Sequence, residues 1–265
     1  MKLCSIASGS SGNCIFAGSE NTGVLIDAGI SGKRIEAGLN SIDRKTAEID
    51  AIFVTHEHID HIAGIGVLAR KHGIPIYTTE GTYQRILSTK SVGKIPEGLF
   101  RPVAADQDVR IGDITVHPFS ISHDAADPVG YRVETERKKA AIATDLGYYN
   151  EYITSQLQNL DALLLESNHD VRMLEVGSYP YHLKQRILGN RGHLSNETAG
   201  RLLCEVLHDN LKHIVLGHLS KENNYPSLAY ETVCSEVTMG DNPWKSADFH
   251  ITVAKRDEPG ALLEF

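Results

Sequence analysis

Four residues able to bind a metal fall within six consecutive positions: His56, His58, Asp60 and His61 of the segment HEHIDH. Imidazole nitrogens and carboxylate oxygens are ligands for divalent transition-metal ions. In extended chain His56 and His58 project to the same side, because side chains repeat with period two. If the chain then turns into a helix, Asp60 and His61 are aimed at a second point nearby. Four such groups at one boundary suit two adjacent cations better than one, which would leave some of them without a partner in a partly closed site. A polar loop whose histidines only hydrogen-bond is the alternative. Three further candidates stand at the ends of apolar runs: His123 after FSIS, Asp145 after AAIAT and His218 after IVLG. Each alone has a structural reading, as a core-edge histidine or a helix cap. Together they supply what two coordination spheres need, and the two oxygens of an aspartate can bridge two ions.

These residues must be delivered by rigid elements. The run AIFVT (Ala51–Thr55) reads as a buried strand ending at HEHIDH, and His61–His72 carries apolar residues near the 3.6-residue period of a helix. Short apolar runs at Leu3–Ala7, Cys14–Ala17 and Gly23–Ile26 read as strands separated by Ser/Gly-rich turns, followed by a short helix at Gly32–Asn40. Strands are expected at Ile74–Thr78, Ile114–Ser122, Leu160–Ser167, Ile214–Gly217 and Phe249–Ala254, with a hairpin over Gly130–Thr135 and Lys139–Thr144. Helices are expected at Gly81–Ser88, Pro180–Leu188, Glu197–His208 and Ser227–Val237. Ser91–Asp108 reads as a loop with one short strand. Two strand groups with helices between them point to two sheets covered by helices in one domain, although periodicity alone does not separate this from one doubly wound sheet.

The composition narrows the function classes. The chain has 265 residues, 41% hydrophobic and 23% charged, an ordinary globular balance. Its net charge of -8, from 26 basic and 34 acidic residues, excludes a general basic nucleic-acid binder. Local basic groups or bound cations can still admit a polyanion. The cysteines, Cys4, Cys14, Cys204 and Cys234, form no CxxC pair and specify no disulfide pattern. The start MKLCSIASGSSGNC has no long apolar stretch of the signal-peptide kind, and no run has the length of a membrane helix. A cytoplasmic protein without membrane insertion is expected.

HEHIDH, with LIDAG before it and His123, Asp145 and His218 after it, resembles the metallo-beta-lactamase superfamily over essentially the whole chain. The resemblance implies an α+β fold, a four-layer αββα sandwich, as a single domain over residues 1–265. It implies one metal held by His56, His58 and His123, and a second by Asp60, His61 and His218. Asp145 would bridge them, and Asp27 of LIDAG would support the ligand loop from behind. SIASGSSGNC, SHDAADPVGY, LLLESNHD and the paired phrases RGHLSNE and GHLSKENN resemble the YycJ family, also called WalJ or VicX. That family occurs largely in Gram-positive bacteria, is encoded near an essential two-component cell-wall regulator, and is regarded as a DNase of 5'-to-3' exonuclease type. A functional link to such a regulatory system is implied by the resemblance alone. The stretch from Asp145 to His218 departs from RNase J-like relatives, being too short for a complete inserted beta-CASP domain.

The expected activity is that of a dinuclear metal-dependent phosphodiesterase, a 5'-to-3' DNA exonuclease with DNA, or RNA, as substrate. Two divalent ions, Mn or Zn, would provide a metal-bound hydroxide as nucleophile and screen the phosphate charge. Asp60 and His193 are the catalytic candidates. Lys184, Arg186, Arg191 and His193 lie in a segment without Asp or Glu and are candidate phosphate contacts. For Lys184 and Arg186 a solvated helix face is an equal alternative. Ser195 is expected to cap the helix after His193, placing that histidine where unpaired N–H groups favour an anion. Ser11 and Asn13, in the turn Gly9–Asn13, could contact substrate or merely close a tight turn. His169 could orient the bridging region, contact substrate, or belong to a helix start. Two rivals remain: a small-substrate hydrolase acting on a cyclic phosphodiester or thioester, and a non-catalytic, metal-stabilised regulatory protein.

Overall fold

The computed structural model describes residues 1–265. Fourteen strands form two mixed seven-stranded sheets. The chain divides into two compact units, one of Met1–Ser120, Ala125–Lys138 and Lys255–Phe265, the other of Ile121–Asp124 and Lys139–Ala254. No helix is long and apolar enough to cross a membrane. All four cysteines are free.

In the first unit β1 (Lys2–Ala7), β2 (Cys14–Gly18) and β3 (Gly23–Ile26) form an antiparallel meander. The chain then crosses through α1 (Gly32–Asn40) to β4 (Ala51–Phe53), which pairs parallel with β3. Two helices, α2 (Ile59–Ile62) and α3 (Ile65–His72), lead to β5 (Ile76–Thr79); α4 (Glu80–Ser88) leads on to β6 (Phe100–Val103). β4, β5 and β6 continue the parallel side of the sheet. A short closing strand, Leu263–Glu264, pairs antiparallel with β1 at the other edge. Ile35 and Leu39 of α1 and Ile65, Leu68 and Ala69 of α3 pack on Ile6, Phe16, Leu25 and Ile52 in one apolar core. Each fully buried Leu or Ile contributes about 1.5–3 kcal/mol. The second sheet's antiparallel strands β7 (Val109–Ile111), β8 (Ile114–Ser120) and β9 (Val129–Glu134) also belong to this unit.

The second unit holds that sheet's parallel strands. They are β10 (Lys139–Ala143), β11 (Ala162–Glu166), β12 (His213–Gly217) and β13 (His250–Val253), hydrogen-bonded in that order. β10 and β11 read as nearly continuous apolar runs, as strands covered on both faces do. Between them lie α5 (Glu151–Gln156), α6 (Val171–Val176), α7 (Tyr181–Leu188), α8 (Asn196–Val206) and α9 (Pro226–Met239). α8 buries Ala199, Leu202, Leu203 and Val206, whereas α7 buries none of its residues.

The expected helix from His61 to His72 is two helices. Gly64 causes the break: its N–H donates to the Ala28 carbonyl at 2.7 Å, and a Cβ there would lie 2.3 Å from the Ile30 oxygen. The backbone is drawn against the β3–α1 loop, so a continuous helix cannot form. α5 and α6 span six residues each, too few for periodicity to reveal, and start at the capping side chains Asn150 and Asp170.

Candidate metal centre

The HEHIDH loop leaves β4 and is fastened from behind. Asp27, directly after β3, is fully buried and has a left-handed backbone at φ 61°. Its carboxylate accepts from the Thr55 N–H (2.8 Å), the Thr55 hydroxyl (2.9 Å) and His61 Nδ1 (2.7 Å). Burial pushes the Asp27 pKa up, and the His61 charge and hydrogen bond pull against it. Asn13, also buried, accepts from the Gly9 N–H (2.9 Å) and places Nδ2 3.1 Å from His61 Nε2. A Cβ on Gly29 would lie 1.6 Å from the Asp60 carbonyl oxygen, so only glycine lets the two loops approach this closely. His56 Nε2 and His58 Nδ1 converge to 3.0 Å, and Asp60 Oδ2 lies 3.6 Å from His61 Nε2. The expected common aim of His56 and His58 is met, although β4 ends at Phe53 and both residues stand in the following loop.

The second unit brings His123, Asp145, His193 and His218 together. Asp145 follows β10 and His218 follows β12, with φ of 61° and 56°. Non-glycine residues occupy this region at an energetic cost, and such strain gathers at functional sites. Asp145 Oδ1 lies 3.6 Å from His123 Nε2, 3.5 Å from His193 Nδ1 and 3.6 Å from His218 Nδ1. Behind them is Glu166, the last residue of β11, with no exposure at all. Its Oε1 accepts from His193 Nδ1 (2.8 Å) and His218 Nδ1 (2.9 Å), and its Oε2 from the N–H groups of Leu146 (2.9 Å) and Leu194 (3.0 Å). Burial alone would raise its pKa; the His193 charge and the hydrogen bonds of both histidines overcome that and hold it well below the usual carboxylate range. Ligand-type atoms of Asp145, Glu166, His193 and His218 all lie within 4.8 Å of one another.

Glu166 escaped the sequence reading. A glutamate ending LLLE is a charge that must find partners where the chain buries it. A second signal was the repeated GHLS at Gly192–Ser195 and Gly217–Ser220, whose histidines meet on the same oxygen.

The donor chemistry fits divalent ions. In His61, His123 and His218, Nδ1 faces Asp27, the Gly192 carbonyl (3.1 Å) and Glu166. These oxygens accept, so Nδ1 carries the hydrogen and Nε2 the lone pair. Metal-ligating imidazoles are held in this way, the second nitrogen fixed by a carboxylate or carbonyl. Burial lowers the His123 pKa, against the raising effect of Asp145, which favours the neutral, ligating ring.

The proposed phosphate contacts have varied surroundings. Lys184 Nζ donates to the carbonyls of Glu175 (2.8 Å) and Gly177 (2.7 Å), and Arg186 pairs with Asp124. Arg191 and Ser11 are exposed. Ser195 caps α8 as expected, accepting from the Thr198 N–H at 3.2 Å. His169 is buried with Nε2 lacking a hydrogen-bond partner, and burial brings its pKa down to about 4.

Histidine and carboxylate donors at strand ends, with His61, His123 and His218 each held from behind through Nδ1, are a donor set of the metallohydrolase type. Residues 22–218 match the beta-lactamase superfamily domain model. The metallo-beta-lactamase fold protein YhfI of Bacillus subtilis aligns with a TM-score of 0.67 at 18% identity, over 98% of both chains. The chain belongs to the metallo-beta-lactamase superfamily, with the α+β fold its motifs implied. Within it, the chain is a homologue of two named enzymes. It is 42% identical to exodeoxyribonuclease WalJ of Streptococcus pneumoniae over 240 residues, 91% of this chain and 89% of that protein. It is 40% identical to exodeoxyribonuclease YycJ of Bacillus anthracis over 228 residues, 86% of each.

Proposed function

We propose that this chain is a dinuclear metal-dependent phosphodiesterase, a cytoplasmic exonuclease that degrades DNA from the 5' end within a single metallo-beta-lactamase-like domain. The hydrolase reading is carried by the buried set around Glu166, where an aspartate and two histidines are held with their donor atoms close together. The DNA substrate is supported by the likeness to the two exodeoxyribonucleases. His56, His58 and His123 are assigned to one ion, Asp60, His61 and His218 to the other, and Asp145 to both. Two zinc or manganese ions would lower the pKa of a nucleophilic water and screen the charge of the phosphate. Asp27 and Glu166 hold the Nδ1 hydrogens of His61 and His218, so that Nε2 is the ligand atom in each. His193, whose side chain is 18% exposed, is held by Glu166 through Nδ1 and meets the phosphate or the departing oxygen through Nε2. Arg191 adds a charge for the DNA backbone.

The test incubates metal-reconstituted protein with DNA and RNA carrying label and phosphate at defined ends, and follows product lengths with time. The expected result is mononucleotides released from the 5' end of DNA, with near-complete loss in Asp60→Ala. His193→Gln is expected to keep metal content while lowering turnover and changing its pH profile. DNA that stays intact with wild-type protein refutes the nuclease reading, and release from the 3' end refutes the polarity.

A further inference from the structure

A second pair of histidines lies at the opposite end of β12 from His218. His213 opens β12 and His250 opens β13, and the two are direct partners in the parallel register. Their Nδ1 atoms are 3.4 Å apart, with ring planes at 88°. His213 is half-buried and His250 exposed. His218 lies five positions after His213, about 16 Å at the rise of a strand, so this pair is outside the centre described above.

We propose that His213 and His250 form a separate binding site for a transition-metal cation of the Zn2+, Ni2+ or Cu2+ class. A tetrahedral ion bound to nitrogen at about 2.0–2.1 Å separates two of its ligands by about 3.3–3.4 Å, the spacing found between these rings. That distance is longer than the 2.7–3.2 Å usual for an N–H hydrogen bond, so direct ring-to-ring bonding explains it less well. The pair is also pre-organised. His213 and His250 face each other in the parallel register of β12 and β13, which fixes both residues where their strands begin. Binding therefore does not have to order two free chains. Imidazole donors suit zinc, nickel and copper and not magnesium or calcium, and the exposed side leaves room for water as the remaining ligands. Burial and the neighbouring His250 lower the His213 pKa, which favours the ring form that binds metal.

Calorimetric titration of Zn2+ into protein already loaded at its catalytic centre tests the site. One further equivalent is expected, and it is absent in His213→Gln and in His250→Gln while both variants keep wild-type DNA cleavage. The same proteins titrated with Cu2+ should show two nitrogen ligands by electron paramagnetic resonance, reduced to one in each variant. Because the readout is the difference between wild type and variant, it stands whatever number of ions binds elsewhere. His250→Gln alters an exposed side chain, so a folded comparison protein is assured even if His213→Gln proves unstable. Equal zinc uptake in wild type and His250→Gln, or no further equivalent in the wild type, shows that the pair is an imidazole–imidazole contact only and overturns the proposal.

Discussion

Asp27 and Glu166 are two solutions to one problem, a buried carboxylate that orients histidine. Asp27 serves one histidine and two groups of Thr55, and burial dominates, lifting its pKa. Glu166 accepts from two histidines and two backbone N–H groups, and the charges and hydrogen bonds of the two histidines reverse the burial penalty. The difference lies in the donor set rather than in the depth, since both side chains are inaccessible to solvent. Burial of a carboxylate is offset more fully where the charges and hydrogen bonds of two histidines act on it than where one histidine does. The supporting groups differ in origin as well. Asp27 backs a contiguous motif leaving one strand, whereas Glu166 gathers residues from three separate stretches of sequence.

Removing the charge from each carboxylate is the strongest way to break this contrast. Glu166→Gln is expected to reduce DNA cleavage or metal affinity by about 10–100-fold, the usual cost of losing a group behind metal ligands. Asp27→Asn should fall at the lower end of that range, because it disturbs one histidine instead of two. Kinetics at saturating metal, with metal content measured in parallel, decide the order; a larger loss in Asp27→Asn would contradict the comparison.

A smaller effect sharpens the account of the second unit through His169. Its pKa is lowered from 6.5 to about 4 because burial penalises the charged ring. The unfolded chain takes up a proton near pH 6.5 that the folded ring resists until about pH 4. Stability from this residue is therefore complete above pH 6.5 and is lost as pH falls toward 4, by up to about 3 kcal/mol. Urea midpoints measured across that interval should decline, and His169→Gln should flatten the decline. An unchanged slope in the variant would assign the acid sensitivity to other groups.

The smallest expected effect concerns Arg191. Arg191→Ala should weaken DNA binding and reduce the slope of log affinity against log salt by about one, the signature of one lost phosphate contact. An equal loss at every salt concentration would mean that Arg191 positions the chain without meeting phosphate. Lys184→Ala gives the contrasting case, since its ammonium is already engaged by the Glu175 and Gly177 carbonyls.

How much of this was legible follows from how far apart the residues stand. The first three strands, the strand into HEHIDH and the apolar runs of β11 and β12 could be read directly, because each is a local pattern. The helix split at Gly64 could not, since it depends on the Ala28 carbonyl 36 positions earlier in the chain. The short helices α5 and α6 left only their caps as a trace. At the site, the metal-ligand candidates were recognisable by residue type, while Glu166 looked like the end of a buried strand. Its four partners come from Leu146, His193, Leu194 and His218, and no window of sequence contains them all.

Residue type and local spacing by themselves determined the chemistry on offer: imidazole and carboxylate donors at the ends of apolar strands, in a superfamily whose motif is compact enough to survive as a string. Tertiary structure alone decided which nitrogen of each histidine faces outward, which carboxylate stays charged, and that two like phrases deliver their histidines to one oxygen. Those properties depend on hydrogen-bond partners and on exclusion of water. Both are created only when chain segments far apart in sequence pack together.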